Sequence, residues 1–154
     1  MRAPIAAYFR DHVFWGGLTY NAHALACSVA LAVIDVLVGE GMVDNAARMQ
    51  PIMRGHMDAL AAKHPSVRGG RCLGLFGMID VQKNAAGEAM APYNGSHPAM
   101  QKLGAFFREN GLFTFVRWGS FMCNPPLCIT DAQLAEGFAI IDAALDIADQ
   151  AVTG

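Results

Sequence analysis

Several features that mark familiar classes of protein are missing from this 154-residue sequence. Only 16% of its residues are charged and the net charge is −2, which excludes the basic surface that nucleic acids and anionic membranes attract. The four cysteines form no C-x-x-C pair and no Cys/His cluster at zinc-ligand spacing, so they are predicted to be reduced thiols packed as small apolar side chains. The opening residues "MRAPIAAYFRDHVF" have no secretory signal, and we expect a cytoplasmic protein.

The sequence also has no apolar run long enough to span a bilayer, so we expect no membrane partner. Its longest run, residues 24–38, is interrupted by Ser28 and Asp35. This run predicts a helix over about 21–38 that is buried on most faces, because apolar residues surround it nearly completely. Apolar residues make up 54% of the chain, which indicates that part of its surface is covered by another domain or subunit.

The rest of the chain alternates helical and extended patterns. A second helical stretch covers 42–63, with a kink or break expected at Pro51. Thr130 and Gln133 predict a capping box at the start of the last helix. Between these helices the patterns predict a strand over 71–81, a long polar loop over 82–97, a helix over 98–110, and two short strands, "LFTFVRW" and "SFMCN", with Gly119 between them. The order predicts an α+β fold with a small, mostly antiparallel sheet covered by helices.

A glycine-rich stretch, "FWGGLTYN", precedes the first long helix. Helix N-termini carry unpaired N–H groups and favour anions, so Gly17 and the hydroxyl of Thr19 could take part in a phosphate site. Alternatively, Thr19 or Asn21 is only the N-cap of that helix, which is the commoner use of such residues. Local chemistry leaves both interpretations open.

The sequence resembles one protein family over almost its whole length. The segment "DHVFWGGLTYNAHALACSVALAVIDVL" is similar to the F-x-x-G-x-T-Y-x-x-H-P-x-A block of class III aminotransferases, which depend on pyridoxal phosphate. "HPSVRGGRCLGLFGMIDV" resembles a strand of the same family, and "FRENGLFTFVRWGSFMCNPPLCITDAQLAEGFAIIDAALDIAD" resembles its closing segment. The "TFVRW" and "APYN" wording is similar to the branch that transfers amino groups from taurine and other ω-amino acids to pyruvate.

This resemblance implies a fold-type I enzyme that works as a dimer and binds small amino and keto acids. Residues 1–41 are then a segment from the large domain with the inter-domain helix, and residues 42–154 are the C-terminal small domain. In the family, the threonine of the G-x-T-Y block reaches the cofactor phosphate, so the resemblance assigns that contact to Thr19, with Gly17 allowing the approach. His23 stands in the family's "HP" position, here "HA", and is expected to be a structural residue at the helix start.

Many family members also use an arginine of the closing segment to bind the substrate's acidic group. Arg117 of "FVRW" is the candidate, although it stands about two residues nearer to "PPL" than in many relatives. A guanidinium suits a carboxylate or sulfonate because its N–H groups match the two oxygens. The other interpretation of Arg117 is a surface arginine in an ion pair. Trp118 and Phe115 could line the same substrate pocket or simply belong to the core.

One part of the family's chemistry is missing. The lysine that forms the Schiff base with the cofactor lies upstream of the G-x-T-Y block in the family, and none of Lys63, Lys83 and Lys102 stands in its place. We therefore expect the isolated chain to bind no pyridoxal phosphate and to be inactive. Its expected partner is the missing large domain or a second copy of the chain. The alternative is a non-catalytic module that self-associates or binds a partner.

Overall fold

The computed structural model describes residues 2–153, which separate into a first unit ending at Glu40 and a second beginning at Gly41. The first unit holds helices α1 (Ala3–Tyr8) and α2 (Ala24–Gly39). The second unit holds, in chain order, α3 (Met42–Lys63), β1 (Val67–Leu73), β2 (Phe76–Val81), α4 (Pro98–Glu109), β3 (Val116–Arg117), β4 (Ser120–Cys123) and α5 (Asp131–Asp149). The predicted division of 1–41 and 42–154 between two domains of a larger enzyme stays a prediction.

The second unit has the predicted α+β architecture. Its four strands form one antiparallel sheet in the order β1-β2-β4-β3. Helix α3 packs on β1 and also contacts α5, which lies beside α4. The predicted capping box is present, with the Gln133 amide donating to the Thr130 hydroxyl and the Gln133 side chain accepting from the Thr130 amide. The fold class is therefore confirmed, and α3 has the predicted bounds. A break of the helix at Pro51 is not present, because Pro51 lies inside one continuous helix.

Methionines of α3 form the centre of the core beneath the sheet. Met49, Met53 and Met57 are fully buried. A Cβ atom added at Gly77 would lie 2.3 Å from the Met53 methyl, and one added at Gly70 would lie 2.8 Å from the Met57 Cβ. A side chain at Gly70 would meet the Met57 Cβ, which cannot move without its helix, whereas one at Gly77 would force the ends of two methionine side chains to repack.

The predicted single strand over 71–81 is wrong. The chain turns at Gly74, which has a φ of 57°, so that β1 and β2 pair as a hairpin. The Gly74 amide donates to the Gln50 side chain at 2.6 Å, and Leu75 is buried. An apolar run concealed this turn, because Leu75 and Phe76 look like strand residues whichever side of a turn they occupy.

The first unit differs from its prediction more strongly. Along residues 2–40 no side chain is buried, so the prediction that the first long helix is buried on most faces is wrong for the chain by itself. Among its large apolar residues, Leu25, Leu31 and Val38 are each more than 60% exposed. Nothing within this unit covers α2, and the physical reason is its size: two helices of 6 and 16 residues cannot enclose a core.

Among residues 2–153, no single helix is both long and apolar enough to cross a bilayer, and α2 and α3 reach that threshold only when taken together. The apolar side chains of α3 are accounted for by the core of the second unit. The cytoplasmic location stays a prediction.

Candidate functional site

The candidate substrate residue Arg117 lies on the half-exposed face of the sheet, opposite the face that α3 covers. It is the last residue of β3 and pairs with Ser120, the first residue of β4, across a two-residue turn formed by Trp118 and Gly119. Ser120 in turn pairs with Asp80 of β2. Since paired residues of neighbouring strands point to the same side, the sheet brings Arg117, Ser120 and Asp80 together on one face.

Two arginines of this face share the single carboxylate of Asp80. It forms an ion pair with Arg71, and Arg68 approaches the same carboxylate at 3.8 Å. The Ser120 hydroxyl donates to the other carboxylate oxygen at 2.8 Å. Arg117 has no carboxylate within 4 Å among residues 2–153, so the ion-pair interpretation of this residue is not realised within the described chain. Its positive charge is left for a group from outside.

Aromatic rings fix the surroundings of the Arg117 guanidinium. Its central carbon lies 4.4 Å from the centre of the Trp118 ring and 6.0 Å from that of Phe115. The ring of Tyr93, from the loop over 82–97, lies 4.3 Å from Trp118. A cavity of about 240 Å³ is lined by Arg117, Trp118 and Phe115, so the three residues that the sequence analysis grouped do lie together. Their contact with a substrate stays a prediction.

The sequence analysis quoted Tyr93 only within "APYN" and gave it no role, and it missed Asp80. The loop over 82–97 was predicted as a long polar loop, but its residues Met90 and Ala91 are buried and Gln82 bridges to Ala89. The available signal was an aromatic residue in a loop of unusual length, since such loops often serve a function. Asp80 gave no signal, because only the strand register shows which arginines its carboxylate meets.

The candidate phosphate residues Gly17 and Thr19 belong to the first unit. Helix α2 is capped by His23, whose Nδ1 accepts from the Ala26 amide at 3.3 Å, so the prediction that Thr19 or Asn21 caps it is wrong. The Asn21 side chain instead donates to the Gly16 carbonyl. Within residues 2–153 the Thr19 hydroxyl makes no hydrogen bond. His23 has the structural role expected of it, whereas the phosphate contact of Thr19 and Gly17 stays a prediction.

The lysines of this chain do not fit a complete pyridoxal phosphate site. Imine formation requires an uncharged amine, which proteins obtain by desolvating the lysine or placing it near another cation. Lys63 instead lies 2.5 Å from Asp142, whose hydrogen bond raises the pKa of this lysine. Lys83 is paired with Glu88 at 2.6 Å, and Lys102 is exposed on α4. We therefore derive no chemical step through this cofactor for the chain alone.

A buried histidine forms the most connected polar cluster of the second unit, which the sequence did not reveal. His64, just before β1, donates from Nδ1 to Asp149 at 2.7 Å and from Nε2 to Asp142 at 3.0 Å. The backbone amide and hydroxyl of Ser66 also donate to Asp149, at 3.1 and 2.6 Å. Because both carboxylates belong to α5, this cluster fastens the start of the sheet to that helix.

Burial and hydrogen bonding act on the charge of His64 in opposite directions. Burial of the ring lowers its pKa, but the hydrogen bonds to Asp149 and Asp142 outweigh burial, so the pKa of His64 lies above its usual value. The pKa of Asp142 is lowered by the hydrogen bonds from Lys63 and His64. Burial raises the pKa of Asp149, but the bonds from Ser66 and His64 lower it further than burial raises it. The two carboxylates therefore favour the protonated form of His64 more than water does.

The four cysteines are all free thiols, but only one fits the predicted role. Cys123 is buried, and burial raises the pKa of its thiol to about 12, so it behaves as a small apolar residue. Cys72 is half-buried, whereas Cys27 and Cys128 are exposed, so the prediction of buried packing is wrong for those two. Cys128 lies in the turn after the prolines.

The second unit is a small α+β fold whose open sheet face holds Arg117 beside two aromatic rings. The chain belongs to the class-III aminotransferase family, whose pattern matches residues 4–145. Taurine–pyruvate aminotransferase of Bilophila wadsworthia is 32% identical over 151 residues, covering 96% of this chain and 32% of that protein. The 4-aminobutyrate aminotransferase of Escherichia coli is 30% identical, covering 91% of this chain and 33% of that protein.

A solved structure shares the fold. The taurine:2-oxoglutarate aminotransferase of Bifidobacterium kashiwanohense, in complex with pyridoxal phosphate and glutamate, superposes with a TM-score of 0.89 at 32% identity. The match covers 98% of this chain and 34% of that one. The chain thus spans about a third of the length of the relatives it matches.

Proposed function

We propose that this chain is the C-terminal, substrate-recognising portion of an aminotransferase that transfers an amino group from an ω-amino acid of the taurine type to pyruvate. The observation that carries the proposal is the Arg117 guanidinium, which has no carboxylate partner in the described chain although two neighbouring arginines share Asp80. An uncompensated guanidinium beside a cavity is suited to an incoming carboxylate or sulfonate.

The choice of an ω-amino acid follows from the number of fixed charges. An ω-amino acid carries one acidic group at the end of the chain opposite its amine, and Arg117 offers one cationic group to hold that end. The same guanidinium would hold the carboxylate of pyruvate in the second half of the exchange. Two relatives whose names include taurine support an ω-amino donor. For the amino acceptor, the name of the Bilophila relative gives pyruvate, and this name is the one that supports pyruvate here.

The complete enzyme would bind pyridoxal phosphate, which supplies the electron-withdrawing chemistry of transamination. Thr19 and Gly17 would contribute a hydroxyl and a close backbone approach to its phosphate, and the lysine would come from a part of the enzyme that this chain does not contain. The isolated chain is accordingly inactive. Intact-mass measurement after incubation with pyridoxal phosphate and borohydride reduction is expected to give no single stoichiometric adduct.

A second candidate is a non-catalytic module that self-associates. The observation that favours it is the exposure of α2, a helix with almost no polar residues and no buried side chain. Sedimentation of the chain separates the two. A stable oligomer that buries α2 would favour the non-catalytic module. Aggregation that is relieved when a lysine-bearing large domain is added would favour a portion of an enzyme.

The proposed role of Arg117 is tested by titrating the ¹⁵N-labelled chain with ethanesulfonate and propionate, the acidic ends of such substrates, at constant ionic strength. Arg117→Gln is expected to weaken binding about fivefold or more, because one charge-assisted contact is lost. Arg108→Gln is the matched control, since Arg108 is an exposed arginine on α4. Equal effects of the two variants would show that the anion does not bind at Arg117.

A further inference from the structure

Contacts among Tyr93, Trp118 and Arg117 join two segments of the chain, and the Tyr93 and Trp118 rings are tilted by 50° to one another. The Tyr93 and Trp118 rings lie 4.3 Å apart, and the Arg117 guanidinium lies 4.4 Å from the Trp118 ring. Arg117 is otherwise a long, exposed side chain at the end of a strand, with many rotamers available to it. A guanidinium held over an indole keeps one plane, so its N–H groups point in a fixed direction.

Trp118 keeps this place at a cost in backbone energy. Its φ of 53° lies in the left-handed region, which a bulky residue rarely adopts. Such a conformation persists only when the surrounding structure imposes it, and strained residues of this kind concentrate at functional sites. Glycine or asparagine would form the same turn without the cost, so the strain points to a use for the indole itself.

The loop that carries Tyr93 is held against this turn. The Val81 amide donates to the Gly119 carbonyl at 2.7 Å, and the Met90 amide donates to the Val81 carbonyl at 2.8 Å. A Cβ atom at Gly119 would lie 3.1 Å from the Met90 nitrogen and from the Ala89 Cβ, so the loop and the turn are in close contact.

Tyr93 is then presented by a tight turn of its own. The Gly95 amide donates to the Pro92 carbonyl at 2.9 Å, and Asn94 takes the left-handed position with a φ of 56°. Proline and asparagine suit such a turn, which fixes the backbone that carries the ring. Tyr93 is nevertheless 77% exposed, so burial in a core does not account for its position.

We propose that Tyr93 is a positioning residue that acts through the Trp118 indole to hold the Arg117 guanidinium ready for the acidic group of the substrate. The inference rests on the proposed function, because only an arginine that binds an acid needs a fixed direction. Trp118 is in this account the platform for Arg117. Tyr93 contacts the same indole and keeps it from turning away.

The test uses the 154-residue chain and two independent signals. The first is the Nε–Hε resonance of Arg117, which the neighbouring ring currents displace from the position of a free arginine. The second is the Kd for ethanesulfonate. Tyr93→Ala is expected to return the resonance toward the free position and to raise the Kd about two- to fivefold. Tyr93→Phe keeps the ring and is expected to leave both signals within twofold of the original.

Two controls guard against a general loss of structure. Phe113→Ala removes an aromatic ring of the same unit that is 94% exposed, and it is expected to change neither signal. Trp118→Gly relieves the backbone strain, so it is expected to retain or raise the melting temperature while losing the displaced resonance and the tighter Kd.

An unchanged resonance and Kd in Tyr93→Ala would overturn the proposal. The proposal would also be overturned if Tyr93→Ala shifts the Arg117 resonance but leaves the Kd constant, provided that Arg117→Gln weakens binding. If Arg117→Gln leaves binding unchanged, the proposed function fails by itself, and the resonance in Tyr93→Ala still decides whether Tyr93 holds the guanidinium.

Discussion

Replacing His64 by alanine should destabilise the second unit strongly at pH 6. The ring is 2% exposed and donates two charge-assisted hydrogen bonds, each worth about 1.5–3 kcal/mol. Asp142 is 36% exposed at its side chain, so water replaces much of the lost bond there, whereas Asp149 is 23% exposed and keeps its bonds from Ser66. Two such bonds, each at the lower end of that range, give an expected loss of about 3 kcal/mol in the free energy of unfolding.

The pH dependence gives the sharper test. The pKa of His64 is raised in the folded state above its ordinary value of 6.5, so its stabilising effect is complete below pH 6.5. The effect is lost as the pH rises through the folded-state value. Stability of the original chain should therefore decline above pH 6.5, and the His64→Ala variant should lose that decline. The lowered pKa values of Asp142 and Asp149 act at the acidic end, where stability falls as those carboxylates are protonated.

Urea unfolding followed by circular dichroism at a series of pH values measures both effects. His56→Ala is the matched control, because His56 lies half-buried on α3, stacks on Phe138 at 4.8 Å, and has no carboxylate within 4 Å among residues 2–153. The control should leave the decline above pH 6.5 in place. A His64→Ala variant with the same decline as the original chain would refute the assignment of that decline to the buried imidazolium.

Two further predictions concern stability, and thermal unfolding measures both. Gly119→Ala should destabilise the chain by about 1–3 kcal/mol, since the new Cβ would lie 3.1 Å from backbone atoms. Gly137→Ala in α5 should instead stabilise it by up to about 1 kcal/mol, because the new Cβ meets only Leu112 at 3.9 Å. Thr130→Ala should cost about 1 kcal/mol through the lost cap of α5, and Thr130→Ser should restore it; equal melting temperatures for alanine and serine would contradict the capping role.

The helices of the second unit could be predicted from local rules. The bounds of α3 follow from glycines before it and a His-Pro pair after it, and the start of α5 follows from the hydroxyl of Thr130 and the amide of Gln133. Each of these signals acts between residues a few positions apart, so the sequence contains the whole interaction. The family assignment was likewise readable, because several motifs follow one another in the family's order.

Long-range pairing decided the site. Asp80 and Ser120 are 40 positions apart, and only the strand register places them beside Arg68 and Arg71 and leaves Arg117 without a partner. The same holds for Tyr93 on Trp118, where a loop that looked unstructured closes on a hairpin turn. Local patterns determine which residues can form a helix, a cap or a turn. Which charges are neutralised and which remain available depends on contacts between distant segments, and those exist only in the tertiary structure.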